Sequence, residues 1–279
     1  FLKENNFDVY AICSPGEFID GIKKEGIEVK PIKIKRRITP FYDLITLFRL
    51  WNYFRKEKFD IVQTHTPKPS LLGQMAARLA GVPIIIDTVH GFYFKQDGSL
   101  ASRAFFRFIR KISAKFSDVI FFVNREDMKT AKKEKICKED RIRYFGGGID
   151  LNRFDLKHFS DRYIFNKRTE LGTNKDDKVI GIVARLVEEK GYLDLFEAFE
   201  KVIKKFPDCK LLIIGPEEKE KNDSIKINAT NNIIFLGERK DVEYFYPVMD
   251  IFVLPSHREG LGISLIEASA MERPVVATY

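Results

Sequence analysis

Short apolar runs alternate with amphipathic segments along almost the whole chain. Runs such as 61–65, 179–184 and 251–254 have the continuous apolar character of strands that are buried on both faces. Segments such as 42–56 and 193–206 carry apolar residues at helical spacing. Strands that alternate with helices predict an α/β fold, with helices covering both faces of an open parallel sheet.

A single break in this alternation predicts two domains. Residues 145–150 read FGGGID, and polar, irregular sequence continues to residue 177 before a second series starts at residue 179. Three consecutive glycines favour a hinge or a tight turn over a phosphate loop. We expect two doubly wound, Rossmann-like domains facing a cleft, over residues 1–165 and 166–279.

Both ends of the sequence suggest an excerpt of a longer protein. The chain starts without Met, in what reads as the tail of a helix, and it stops directly after the apolar run 275–277. We expect the first strand of the N-terminal domain and the C-terminal end of the second domain to be missing.

The composition indicates an acidic partner. Among 279 residues, 48 Lys and Arg against 40 Asp and Glu give a net charge of +8. This charge favours a nucleotide or an anionic membrane, whereas no recognition motif supports nucleic acid. Three scattered cysteines form neither a disulfide framework nor a zinc spacing, which favours a reducing, cytosolic compartment. No apolar run approaches the ~18 residues of a membrane span, and no signal peptide is recognisable.

The stretch 249–272, MDIFVLPSHREGLGISLIEASAME, reads as strand, glycine loop and helix. A helix N-terminus after such a loop binds anions through backbone N–H groups and the helix dipole. Glu259 and Glu267 bracket this turn, and carboxylates there suit a ligand that also carries sugar hydroxyls. Alternatively, the two glutamates are solvated acids that stabilise the helix dipole.

Arg185 and Lys190 follow the first strand of the second series, in VARLVEEKG. Two cations at the carboxyl end of a strand suit a diphosphate, which Arg binds bidentately and Lys neutralises as a compact charge. Alternatively, they form a solvated basic loop that pairs with Glu188 and Glu189. Ligands of doubly wound sheets bind outside the carboxyl ends of the strands. Six chemically notable residues fall there: His65, His90, Arg185, Gly215, Gly237 and Glu259.

These motifs, in this order and spacing, resemble the donor-binding half of glycosyltransferase family 4. The resemblance covers residues 179–279 and includes LLIIGPE and the E-x7-E pair Glu259 and Glu267. The upstream run 64–94 is similar to the acceptor-side domain of the same family. The stretch GGGIDLNRF resembles its interdomain segment but has Gly147 where Asn is usual. The resemblance implies a retaining enzyme of the GT-B architecture, of the bacterial surface-polysaccharide type.

The resemblance also implies roles for individual residues. Arg185 and Lys190 would neutralise the departing nucleoside diphosphate, Glu267 would accept from the ribose, and Glu259 would contact the donor sugar. His90 would face the donor sugar from the first domain; alternatively, it caps a strand end. Further donor-side residues are Gly215, Arg239 near the base, and the backbone amides of Gly262, Ile263, Ser264 and Leu265. Acceptor-side candidates are His65 and Lys68.

We expect the reaction to need no metal and no cofactor, the nucleotide-sugar being a substrate. No two aspartates lie two residues apart, so the Asp-x-Asp metal motif is absent from the sequence. Cationic side chains and a helix dipole would instead stabilise the leaving group.

A basic, aromatic-rich segment raises the question of a membrane. Five cations interleave with apolar side chains between residues 103 and 115: Arg103, Arg107, Arg110, Lys111 and Lys115, with Phe105, Phe106, Phe108 and Ile109. Such a helix can lie on an anionic membrane surface. Alternatively, it is a core helix with a solvated cationic face.

The sequence therefore predicts a metal-independent, hexosyltransferase-type glycosyltransferase. It would move a sugar from a nucleotide-sugar to a glycan or lipid-linked acceptor in cell-surface polysaccharide synthesis. We expect it in the cytoplasm, peripheral on the inner face of the plasma membrane. Two alternatives remain: a non-catalytic nucleotide- or membrane-binding module, and a GT-B nucleotide-sugar epimerase. Because the glycine-rich loop of the missing first strand is absent, we expect little activity from these 279 residues alone.

Overall fold

The chain folds into two compact parallel α/β units, Phe1–Gly146 and Gly147–Tyr279. The computed structural model describes residues 2–16, 19–35, 37–92, 100–218, 223–227 and 230–278. The predicted fold class, two Rossmann-like domains, is confirmed. Residues 93 and 94, at the end of the run similar to acceptor-side domains, lie outside the described part.

The first unit contains a four-stranded parallel sheet in the order β3-β4-β5-β6 and a separate parallel pair, β1-β2. The strands are β1 (Tyr10–Cys13), β2 (Glu28–Pro31), β3 (Ile61–His65), β4 (Ile84–Val89), β5 (Val119–Phe122) and β6 (Ile142–Tyr144). The helices are α1 (Ile19–Lys24), α2 (Pro40–Glu57), α3 (Pro67–Ala80), α4 (Leu100–Phe116) and α5 (Arg125–Lys133). Single 3-10 turns cover Lys3–Asn5 and Glu139–Arg141.

Helix α3 packs between α2 and α4 and connects them to the sheet. Ala76 and Ala77 are fully buried, and such small side chains let the helices approach closely. The helix ends at Gly81, whose φ of +78° forms a left-handed C-cap. In the described part of the chain, no helix has both the length and the apolar character needed to span a membrane.

Helix α4 does not present a simple cationic face. Arg110 is buried, and its guanidinium lies 2.6 Å from the carboxylate of the fully buried Asp87. Arg107 pairs with Glu134 at 3.1 Å. Phe105 and Phe108 are 46% and 60% exposed. The alternative of a core helix with a solvated cationic face is therefore wrong, because Asp87 and Glu134 draw two of the arginines inward and the rings of Phe105 and Phe108 turn outward.

The second unit contains a five-stranded parallel sheet in the order β11-β10-β7-β8-β9. Its strands are β7 (Val179–Val183), β8 (Lys210–Ile214), β9 (Ile233–Phe235), β10 (Ile251–Leu254) and β11 (Val275–Ala277). Its helices are α6 (Asp161–Glu170), α7 (Tyr192–Lys205) and α8 (Ile263–Ala270). Single 3-10 turns cover Leu156–His158, Glu188–Lys190, Val242–Tyr244 and Tyr246–Val248.

The burial of strand β8 explains its continuous apolar run. All four residues from Leu211 to Ile214 are at most 1% exposed, because both faces of the strand are covered. The same core contains Phe154 and packs against Ile164 of α6.

The segment predicted as irregular contains a helix. Ser160 caps α6 by accepting from the backbone N–H of Tyr163 at 3.2 Å. Since α6 packs on the second core, the units divide between Gly146 and Gly147, earlier than the boundary at 165 expected from the sequence. Residues 242–248 form two 3-10 turns and no continuous helix, since Pro247 lacks the N–H that a continuous helix would need.

We predict that Gly191→Ala is far more destabilising than Gly172→Ala. Both glycines have a positive φ, +73° and +71°. A Cβ at Gly191 would overlap the carbonyl oxygen of Pro255, whereas one at Gly172 meets nothing within 4 Å. Gly172→Ala should lower the free energy of unfolding by about 1 kcal/mol, and Gly191→Ala by about 2–5 kcal/mol. Urea denaturation measures both, and equal losses would show that the close approach to Pro255 is unimportant.

Candidate active site

The predicted donor-side residues lie at the topological switch point of the second sheet. Strands β7 and β10 are neighbours, with Ile180 opposite Ile251. From β7 the chain proceeds to β8 on one side, and it returns as β10 on the other. The loops after β7 and β10 therefore diverge and leave a crevice at the carboxyl edge, the usual ligand site in such sheets.

Lys190 and Glu259 meet across this crevice. The Nζ of Lys190 lies 2.6 Å from Oε1 of Glu259, and Ser256 Oγ donates to the same oxygen at 2.7 Å. Lys190 closes the 3-10 turn Glu188–Lys190, and Gly191 follows it with a positive φ. The backbone N–H of His257 donates to the Glu189 carbonyl at 2.9 Å and so ties the two loops together. Two residues 69 positions apart in sequence therefore form one charged pair.

Arg185 is held by two carboxylates. Its Nη2 lies 2.8 Å from Oε1 of Glu189, and its Nη1 lies 3.2 Å from Oε1 of Glu218. The other oxygen of Glu189 accepts from Arg258 at 3.0 Å. Arg185 therefore pairs with Glu189 within the basic loop, as the alternative interpretation of this motif predicted. Lys190 instead pairs with Glu259. Sequence reasoning missed Arg258 and Glu218, although Arg258 directly precedes Glu259.

Helix α8 begins at this edge with its N-terminus open to a ligand. Gly262 is the N-cap, at φ +63°, and no side chain caps the turn. The amide of Leu265 donates to the Gly262 carbonyl at 2.9 Å, so this amide, expected to hold phosphate, is used within the turn. The amides of Ile263 and Ser264 belong to the first helical turn, whose N–H groups have no intrahelical acceptor.

Glu267 lies one turn further along α8 and is partly buried. Burial raises the pKa of its carboxyl, while a hydrogen bond from Tyr246 and the charge of Arg153 oppose this rise. The Tyr246 hydroxyl donates to Oε2 at 2.6 Å. Sequence reasoning missed Tyr246, which stands in an aromatic cluster that resembles ordinary core.

Gly215 and Arg239 follow the neighbouring strands β8 and β9. Gly215 donates its N–H to the Gly237 carbonyl at 2.8 Å, and a Cβ at Gly215 would overlap the Ala184 carbonyl. Arg239 is exposed and binds Asp241 through two N–H groups at 2.9 and 2.7 Å. Both residues therefore lie at the same sheet edge as Arg185. Among the described residues, neither of them forms a hydrogen bond with the Arg185 side chain.

The first unit brings two of its three predicted residues together. His65 Nδ1 and His90 Nε2 are 2.9 Å apart at the ends of the paired strands β3 and β4. Burial and the neighbouring His90 lower the pKa of His65, against the opposing charge of Asp87. Lys68 is instead bound to Asp43 at 2.6 Å. Thr66, next to His65, has φ +68° and ψ 150°, a strained conformation for a β-branched residue that is typical of functional sites.

Comparisons with known proteins agree with this geometry. Residues 1–153 match the model of glycosyltransferase family 4, and residues 164–279 match that of glycosyl transferases group 1. The capsular polysaccharide biosynthesis glycosyltransferase CapM of Staphylococcus aureus is 32% identical over 287 aligned residues. The alignment covers 100% of this chain and 73% of that protein.

A second relative and a solved structure extend the comparison. The UDP-Gal:alpha-D-GlcNAc-diphosphoundecaprenol alpha-1,3-galactosyltransferase of Escherichia coli is 28% identical, covering 99% of this chain and 73% of that protein. The crystal structure of Anabaena HepE with UDP and glucose superposes with a TM-score of 0.82 at 18% identity, covering 99% of this chain and 74% of that chain. A likeness at this identity shows the fold, which is GT-B. Together with the family matches, it establishes that the chain belongs to glycosyltransferase family 4 and is a glycosyltransferase.

Proposed function

We propose that this enzyme transfers a hexose-type sugar from a nucleotide-sugar to a lipid-linked glycan in cell-surface polysaccharide synthesis, with retention of configuration. One observation carries the donor half of this proposal: the ammonium of Lys190 lies 2.6 Å from the carboxylate of Glu259. A free phosphate would be attracted by the first group and repelled by the second. A nucleotide-sugar satisfies both, because its diphosphate is bonded directly to a ring that carries hydroxyls.

The chemistry that these residues support is stabilisation of a leaving group. The bond between the anomeric carbon and the diphosphate oxygen breaks, and the diphosphate leaves with the electron pair. Lys190 and Arg185, with the first amides of α8, offset this growing negative charge. An acceptor hydroxyl bonds to the anomeric carbon on the face that the diphosphate leaves, and its proton passes to the departing diphosphate oxygen. Glu259 accepts hydrogen bonds from the sugar, and we assign His90 to the donor sugar and His65 to the acceptor.

Support for a lipid-linked acceptor comes first from the relatives. The name of the E. coli enzyme specifies a diphosphoundecaprenol acceptor, and CapM acts in capsular polysaccharide biosynthesis. An acceptor of this kind is anchored in a bilayer, so the enzyme must work at the membrane surface. A net charge of +8 favours an anionic surface.

Exposed apolar side chains of the first unit fit such a surface. Phe105 and Phe108 project from α4, and Phe41 and Phe48 of α2 are 76% and 62% exposed. Both helices pack against α3, so they belong to one helical layer. Aromatic side chains on a basic surface partition into the headgroup region. We infer that this layer touches the cytoplasmic leaflet and that the enzyme is a peripheral membrane protein.

We expect Lys190→Met to lower kcat/KM by about 10²–10³-fold, the usual effect of removing one group that stabilises a developing anion. Lys201→Met is the matched control, since Lys201 is exposed and pairs with Glu197 in a surface i,i+4 bridge. The measurement is diphosphate release with the best nucleotide-sugar of a panel. A Lys190→Met enzyme within threefold of the control would remove Lys190 from the mechanism.

We expect turnover to be insensitive to EDTA, because cationic side chains and a helix N-terminus stabilise the leaving group. In the described ranges no group of three or more His, Cys, Asp or Glu side chains could hold a metal ion. The same diphosphate-release assay is run with and without EDTA. Loss of activity that Mg²⁺ or Mn²⁺ restores would contradict the metal-free mechanism.

We expect the enzyme to cosediment with phosphatidylglycerol-containing vesicles and the double variant Phe105→Ser/Phe108→Ser to bind several-fold less. The control double variant is Phe165→Ser/Phe206→Ser, which removes two rings of similar exposure from the second unit. Transfer to a lipid-linked acceptor in vesicles should fall with binding, while transfer to a short soluble analogue is unchanged. Equal binding by both double variants would exclude α4 from the membrane contact.

A further inference from the structure

Tyr246 is fully buried in the second unit, yet its hydroxyl reaches the donor-side carboxylate. The ring lies 6.0 Å from that of Phe154 and 5.7 Å from that of Phe252, centroid to centroid. The hydroxyl donates to Oε2 of Glu267 at 2.6 Å and lies 3.5 Å from the Ser264 carbonyl oxygen. Since packed rings fix the phenol on both sides, its hydroxyl is a rigid reference point for the carboxylate.

The electrostatics of the pair agree with a donor phenol and a charged acceptor. Burial raises the pKa of Tyr246, so the phenol keeps its proton. Burial also raises the pKa of Glu267, and the hydrogen bond from Tyr246 is the largest influence that lowers it. The phenol therefore helps Glu267 to remain ionised, and an ionised carboxylate accepts hydrogen bonds from sugar hydroxyls.

A purely structural tyrosine would look different. Tyr192 is also fully buried, but its hydroxyl donates to a backbone carbonyl, that of Ala184, at 2.9 Å. This bond merely satisfies a buried polar group. Tyr246 instead donates to a carboxylate of the candidate donor site. This bond occupies Oε2 of Glu267, and within the described ranges no hydrogen bond reaches Oε1.

We propose that Tyr246 is a positioning residue of the donor site: it holds Oε2 of Glu267 so that Oε1 accepts from a ribose hydroxyl of the nucleoside diphosphate. This inference rests on the proposed function and on the role that the family resemblance implies for Glu267, which is to accept from the ribose. Tyr246 does not touch the ligand and acts through Glu267 alone.

The test compares ribose and deoxyribose ligands. Calorimetry gives Kd for UDP, GDP and ADP, and for the 2′-deoxy and 3′-deoxy analogues of whichever binds most tightly. The wild-type enzyme should prefer the ribonucleotide to at least one deoxy analogue. In Tyr246→Phe the Kd of the ribonucleotide should rise about tenfold, with that of the deoxy analogue unchanged, so that the preference disappears. A defect in packing alone would weaken both ligands equally.

Two further variants separate the possible outcomes. Tyr192→Phe, the matched loss of a buried hydroxyl, should keep the wild-type preference, and Glu267→Gln should lose it. If Glu267→Gln loses the preference and Tyr246→Phe keeps it, the positioning role is overturned and the donor site stands. A wild-type enzyme that binds ribose and deoxyribose ligands equally would overturn the assignment of Glu267 to ribose, and the inference with it.

A third variant covers failure of Tyr246→Phe to fold. Glu267→Asp leaves the phenol in place but shortens the carboxylate, so that it cannot reach the phenol and the ribose together. Full retention of the ribose preference in this variant overturns the positioning role, since the carboxylate would then bind the ribose without the phenol.

Discussion

The ion pair between Lys190 and Glu259 is the contact on which the donor side depends. It joins the loops after β7 and β10, which the backbone hydrogen bond from His257 to Glu189 also connects beyond the sheet edge. The pair requires Gly191, because any side chain there would collide with Pro255 at the start of the opposite loop. Partly covered charges cost free energy unless they are paired, so each residue also keeps the other in place. A ligand that carries phosphate and hydroxyl groups side by side can replace this pairing without leaving either charge unsatisfied.

The scaffold could be predicted from the sequence because buried strands and buried helix faces require apolar residues at regular, local spacing. The strand Lys210–Ile214 is apolar on both faces, and the order of strands and helices follows from the alternation. The edge that carries Arg185 and Glu259 could also be predicted, since each directly follows a strand. The capping serine of α6 was present in the sequence, but the polar residues around it concealed the helix.

The partners of these side chains could not be predicted, since they depend on positions far apart in the chain. Nothing near Tyr246 in the sequence indicates that its hydroxyl reaches Glu267, 21 residues further on. Likewise, helical periodicity places the basic and the aromatic side chains of α4 on different faces. It does not say which of these two faces points inward. The buried Asp87 on a neighbouring strand decides this by pairing with Arg110. Of the two alternatives for α4, the core helix with a solvated cationic face was therefore wrong, although the helix itself was correctly predicted.

The ion pair between Asp87 and Arg110 also ties helix α4 to strand β4. Asp87 lies within β4, three residues before His90, and Ser70 of α3 donates to its second oxygen at 2.9 Å. Close-packed interiors transmit displacement instead of absorbing it. The guanidinium of Arg110 thus fixes α4 to the strand whose end carries His90. The position of the aromatic helix and the position of the histidine pair are therefore set by one buried contact between neighbouring elements.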